Sequence, residues 1–175
     1  MTSTNRTPSN PIPTEVGEGL KAAFRQHPAG VAIISADSPT GPHGLTASSV
    51  ASVAVDPAAI VFSVTRATGS AGAILDAESF VVHLIDDEHA GVAQNFAVSG
   101  AERFTAEQGW QTLPTGEPYL PTARVALRCR AIEKVPVGSS TVVIAEVLEV
   151  IFGRPSRALV YVDRSFHALP HDEGR

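Results

Sequence analysis

The 175-residue chain contains a single cysteine, Cys129. One cysteine excludes an internal disulfide and any all-cysteine metal site built by one chain, and it fits a reducing compartment. Lysine is almost as scarce, since only Lys21 and Lys134 of the 13 basic residues are lysines. Arginine is the better fork for a phosphate or carboxylate, although a genome-wide bias explains the ratio more simply. Positive charge is short overall, because 18 acidic residues leave a formal net charge of −5. An extended phosphate-backbone binder needs a basic surface, so nucleic acid is not an expected partner. A few local donors can still hold one phosphate. Long apolar runs are missing too. The longest, Thr141 to Phe152, is short and carries Glu146 and Glu149, so no membrane span is expected. The polar stretch from Met1 to Thr14 lacks the apolar core of a signal peptide. These absences together predict a soluble cytoplasmic protein.

What is present is globular, with 43% hydrophobic and 18% charged residues, and the length suits one domain. The expected limits are a disordered tail over 1–13, a domain over 14–169 and a short tail over 170–175. Val16, Leu20 and Phe24 recur at a spacing of four behind Pro13-Thr14 and predict a helix that Pro28 stops. Strand signals follow at Gly30 to Ser35, Gly44 to Val55, Ala59 to Val64 and Phe80 to Ile85. Short helices are expected over Ser70 to Asp76 and from about His89 to Val98, the second capped by Asp86-Asp87-Glu88. Gly100 to Thr122 is an irregular connection long enough to suggest function. Val125 to Arg130, Val142 to Phe152 and Ala158 to Val162 complete the strands. Strands outnumber helices and do not alternate regularly with them. That pattern predicts a mainly β, antiparallel barrel with peripheral short helices.

Two segments carry candidate chemistry. In Gly44-Leu45-Thr46-Ala47-Ser48-Ser49, small side chains let a flat ring approach the backbone, and hydroxyls add donors without bulk. Read as a strand, Thr46 and Ser48 share one face while Ala47 and Ser49 share the other. Close packing of an ordinary strand accounts for this segment equally well. The second segment, Ser63-Val64-Thr65-Arg66-Ala67-Thr68-Gly69-Ser70, runs from a strand end through hydroxyls into a helix start and forms a plausible phosphate cradle. Simple N-capping by Thr68 or Ser70 explains it as well. No Walker loop, Rossmann glycine pattern or GxSxG elbow is present. No histidine pair has helical metal-ligand spacing. His83, on an apolar strand, reads as a hydrogen-bonded core residue, Cys129 as a packed and inert thiol, and Asp86-Asp87-Glu88 as a solvated helix start.

Taken in order, the chain resembles the flavin reductase family with the FMN-binding split-barrel fold, the small components of two-component monooxygenases. The resemblance rests on Phe24, His27-Pro28-Ala29-Gly30-Val31, Gly44 to Val50, Ser52-Val53 and Asp56-Pro57. It continues through Phe62-Ser63-Val64, Phe80 to Leu84, Asn95-Phe96-Ala97, Arg103-Phe104, Leu127 to Arg130, Leu159-Val160-Tyr161 and Arg164-Ser165-Phe166. It implies a homodimer of six-stranded, antiparallel Greek-key split β-barrels with flavin at or near the subunit interface. It also implies reduction of FMN or FAD by NADH or NADPH, with reduced flavin passing to a partner oxygenase.

Carried onto this chain, Thr46, Ala47, Ser48 and Ser49 are expected against the isoalloxazine and ribityl chain. Ser63, Val64, Thr65, Arg66 and Ser70 fall toward the phosphate, and Phe104 and Arg164 complete the expected flavin contacts. Many members have Gly-Asp-His before a late strand, the histidine lying near the nicotinamide. Gly138-Ser139-Ser140 stands there instead, which puts Ser140 at the position of the family's nicotinamide-site histidine and leaves no catalytic residue assigned. Ala58 replaces a second proline after Pro57.

Overall fold

The computed structural model describes residues 14–170, so both expected tails lie outside the described residues except for Pro170. Helix α1 (Thr14–Arg25) leads into β1 (Ala29–Gly30), β2 (Ala32–Ala36), β3 (His43–Ala47), β4 (Ala51–Val55) and β5 (Ala58–Thr65). Helix α2 (Ser70–Asp76), β6 (Phe80–Leu84) and α3 (Ala90–Ala97) follow. The long connection holds a small hairpin, β7 (Gln111–Thr112) with β8 (Pro118–Tyr119). Two long strands, β9 (Val125–Val137) and β10 (Ser140–Phe152), precede the hairpin of β11 (Leu159–Val162) and β12 (Ser165–Ala168). All pairings are antiparallel.

The main sheet runs β3-β2-β6-β9-β10-β5-β4, seven strands where six are expected, beside a smaller sheet β1-β11-β12. Its edge strands, β3 and β4, are neighbours in sequence. Laid flat, the edges of seven strands stand roughly 29 Å apart. Ser48, Ser49 and Val50, which join them, cannot span more than about 15 Å. The sheet must therefore curl enough to bring the end of β3 near the start of β4. The ladder stays open at that seam, since no described backbone pairing joins β3 to β4. The curl encloses part of the core and turns the serine linker outward.

Strand β2 shows why some runs are apolar without alternation. Ala32, Ile34 and Ala36 enter one cluster with Phe62, Phe80 and α2's Ile74, whereas Val31 and Ile33 enter a second with Phe96 and Leu120. Buried on both faces, the strand is apolar except for Ser35, whose hydroxyl is satisfied by the Pro118 carbonyl at 2.6 Å. Helix α3 and the long connection cover the second face, where Phe96, Phe104 and Trp110 pack with ring centroids 4.8–5.2 Å apart. Gly44 on β3 is required there, because a Cβ would stand 2.5 Å from Phe96 Cε1.

Candidate functional site

The expected ring-binding segment divides at Ala47. Strand β3 ends there, so the face alternation does not continue into Ser48 and Ser49. The Thr46 hydroxyl donates to the Ala93 carbonyl at 2.6 Å, which pins α3 to β3. The Ala47 side chain is buried in the core. Ser48 and Ser49 are exposed at the seam. Ser49 Oγ accepts from the Ser63 N–H at 2.9 Å and donates to the Ser63 carbonyl at 3.2 Å, tying the linker to β5.

The cradle segment divides as well. Val64 is buried, while Ser63 and Thr65 share the outer face of β5. Arg66 is exposed with φ 58°, and its N–H donates to the Ser139 carbonyl at 2.9 Å. Ser140 Oγ lies 3.4 Å from Thr65 Oγ1, beside the tight turn at Gly138. Neither Thr68 nor Ser70 caps α2, whose N-cap is Gly69. The Ser70 hydroxyl instead accepts from Arg103 at 2.9 Å. Arg103 also donates to the carbonyls of Gly44 and Val98, at 2.9 and 2.7 Å, and so ties β3 to the carbonyl end of α3.

A groove of about 760 Å³ gathers Ser48, Ser49 and Ser63 with Arg164 of the β11–β12 turn. Helix α1 supplies Lys21, Arg25 and the exposed ring of Phe24 to the same groove, and β11 supplies Tyr161. No carboxylate lines it, although the chain has 18 acidic residues against 13 basic ones. Ser70 and Phe104 line a separate cleft of about 470 Å³ with Arg103. Thr65 and Arg66 line neither. The α1 cations had a signal in the sequence, because Lys21 and Arg25 are four apart on one helix face. Their meeting with the serines had none. These residues offer hydroxyl donors, fixed positive charge and two aromatic faces, which suits a flat ring bearing an anionic group.

Other titratable groups are committed internally. His83 is fully buried; its Nδ1–H donates to the Ile33 carbonyl at 3.0 Å and its Nε2 accepts the Leu120 N–H at 3.1 Å. Burial holds its pKa down at about 4, as expected of a core histidine. Burial pushes the Cys129 thiol up to about 12, in keeping with an inert thiol. Asp86 departs from the solvated reading. Only 3% exposed, it accepts from Ser156 Oγ at 2.6 Å, the Glu88 N–H at 3.1 Å and His89 Nδ1 at 2.5 Å. Burial alone would raise its pKa, but the Ser156 bond, the charge of His89 and the other donors outweigh it and hold the carboxyl below its ordinary value. Glu117, also buried, accepts from Ser79, Thr115 and Arg128 and is held low by the same balance. The described residues contain no cluster of groups able to hold a metal ion. None of their helices is long and apolar enough to cross a membrane.

The sequence profile of the flavin reductase like domain matches residues 24–170. The chain belongs to the flavin reductase-like family. It is 41% identical over 130 residues to an NADH:FMN oxidoreductase of Rhodococcus erythropolis, covering 74% of this chain and 68% of that one. It is 31% identical over 173 residues, 96% of each chain, to the reductase component of a FADH(2)-dependent resorcinol hydroxylase of a Rhizobium strain. A flavin reductase domain protein of Arthrobacter sp. FB24 superposes with TM-score 0.82 at 29% identity, over 89% of this chain and 98% of its own. The family's profile covers the groove from Phe24 to Arg164 and leaves out Lys21.

Proposed function

We propose that this flavin reductase-like protein reduces FMN or FAD with NADH or NADPH and hands the reduced flavin to a partner monooxygenase. The observation that carries the reading is the carboxylate-free groove, where Ser48, Ser49 and Ser63 face three cations in a chain of net charge −5. When bound, the flavin supplies the redox chemistry, accepting hydride from a nicotinamide stacked on it. The chain's own task is to hold two rings aligned. The Ser48 hydroxyl gives a donor at the ring edge, Ser49 braces the linker against Ser63, and Phe24 and Tyr161 give flat apolar walls. Thr65 and Arg66 extend the outer face of β5 toward Ser140. Ala47 and Val64, buried, contribute backbone groups only. Purified protein mixed with FMN or FAD should accelerate NADH or NADPH oxidation; no acceleration with any of the four pairs overturns the reading.

A second reading is a flavin-binding protein without efficient NAD(P)H oxidation. Ser140 supports it, because the β9–β10 turn offers hydroxyls where the resemblance to the family implies a carboxylate and an imidazole. Here FMN binds, turnover is slow, and Ser140→His raises it.

The assembly we infer is a homodimer of split barrels. Val16, Leu20 and Phe24 form an exposed apolar stripe on α1, and Val150 and Phe152 lie exposed at the far end of β10. A twelve-residue helix is marginal without a partner for its apolar face, and a second copy supplies one. Light scattering at twice the chain mass supports this; a monomer at micromolar concentration opposes it.

A further inference from the structure

The buried cluster around Asp86 ends at the surface. Asp86 and His89, in the turn before α3, are 3% and 6% exposed, whereas Thr122, in the turn before β9, is open to solvent. Its donors hold the Asp86 carboxyl below its ordinary pKa, so the ionised group can only accept. His89 Nδ1 therefore carries the proton in the 2.5 Å contact with Asp86 Oδ1. That fixes the tautomer of the neutral imidazole and leaves Nε2 as an acceptor. The Thr122 hydroxyl, 2.9 Å away, donates to it.

Carboxylate, imidazole and hydroxyl thus stand in line as orienter, base and nucleophile. Ser156 Oγ, on the other Asp86 oxygen at 2.6 Å, and the Glu88 N–H keep the carboxylate in place. None of these residues lines the serine-lined groove. A brace between two turns would need the same bonds, but it would not need its hydroxyl in water. Here the base and its carboxylate are shielded while the hydroxyl is reachable. A reagent arriving at Thr122 meets an oxygen whose proton already has a destination.

We propose that Thr122 is a nucleophilic hydroxyl, and that the chain accepts an acyl group there from small activated carboxylic esters in a reaction separate from flavin reduction. Thr122 Oγ1 attacks the ester carbonyl carbon as its proton passes to His89 Nε2, and Asp86 stabilises the imidazolium. The carbonyl's bond to the leaving oxygen then breaks, and the departing alcohol takes the proton from Nε2. The products are an O-acyl threonine and the free alcohol. The neighbouring Ala123 N–H is spent on the Leu120 carbonyl at 3.1 Å and gives the oxyanion no help, so one slow acylation is expected and not rapid turnover.

The full chain is incubated with p-nitrophenyl acetate, and acetylation is followed by intact mass and located by peptide mass spectrometry. The parent protein should gain an acetyl group on Thr122. Thr122→Val should lose that label, and the less hindered Thr122→Ser should carry it at the same position. His89→Gln, which keeps a polar group but removes the base, should slow labelling of Thr122 about a hundredfold. Urea midpoints show that each variant is folded. Should His89→Gln not fold, the parent protein unfolded in urea takes its place, and Thr122 should then lose its label because the line of three groups is gone. Acetyl groups confined to lysines or the terminal amine overturn the proposal. So does labelling of Thr122 at an equal rate without the base or in the unfolded chain, either of which leaves the three groups as a brace.

Discussion

Around Asp86, a carboxylate only 3% exposed, two donors of its own turn, the Glu88 N–H and His89, converge with Ser156 from 70 residues away. Around Ser48 and Ser49, hydroxyls stand exposed and the nearby cations are held only by exposed ion pairs. Both neighbourhoods are polar and both join distant segments. The first is closed, because burial makes every unmade bond expensive and each group has found a partner. The second is open: Ser49 is spent on the Ser63 backbone, but Ser48 and the exposed cations keep bonding capacity for something the chain does not supply. Donors already committed hold the fold, and donors left over mark the site.

The contrast breaks most decisively at Asp86. Replacing Asp86 with Ala strands buried donors on His89 and Ser156 and should cost about 3–5 kcal/mol, read as a lower urea midpoint. A loss below about 1 kcal/mol would mean the cluster is not closed.

Next comes acid. His83 binds a proton near pH 6.5 when unfolded but only near pH 4 when folded. The unfolded chain therefore holds more protons between those values, and stability falls as pH drops through that window. The loss is on the order of 3 kcal/mol, and His83→Gln should flatten it. Asp86 and Glu117, held below their ordinary values of 3.8 and 4.5, add stability that is complete above those values and drains as pH falls through them. Urea titrations at several pH values give both slopes.

Gly44→Ala should cost about 1–3 kcal/mol, because its Cβ overlaps Phe96. Ser48→Ala with Ser49→Ala sharpens the comparison from the other side. Stability should change by no more than about 1 kcal/mol, while FMN affinity drops roughly tenfold. A large stability loss without a binding loss would make the linker structural.

Much of this was legible along the chain. The strand signals fall on strands except across Ser48 to Val50, where the Gly44 to Val55 signal breaks into β3 and β4; Ser70 to Asp76 is α2 as the pattern predicts, and the ordered motifs point to the flavin reductase-like family. The failures share a cause. Thr46 looked available because its acceptor, Ala93, is 47 residues away. Asp86 looked solvated because Ser156 is 70 residues away. The α1 pattern marked a helix, yet nothing local says that its apolar stripe faces out while its cations reach Ser63.

The chain's local chemistry by itself determined the type and order of most elements, that β2 would be buried, and that small hydroxyl residues cluster between Gly44 and Ser49, since periodicity, turn residues and side-chain size act over a few positions. Only the tertiary structure decided which of those hydroxyls are spent. Packing α3 on β3 consumed Thr46 and β5 took up Ser49, leaving Ser48 exposed, because those partners lie far away along the chain and meet only when the sheet curls.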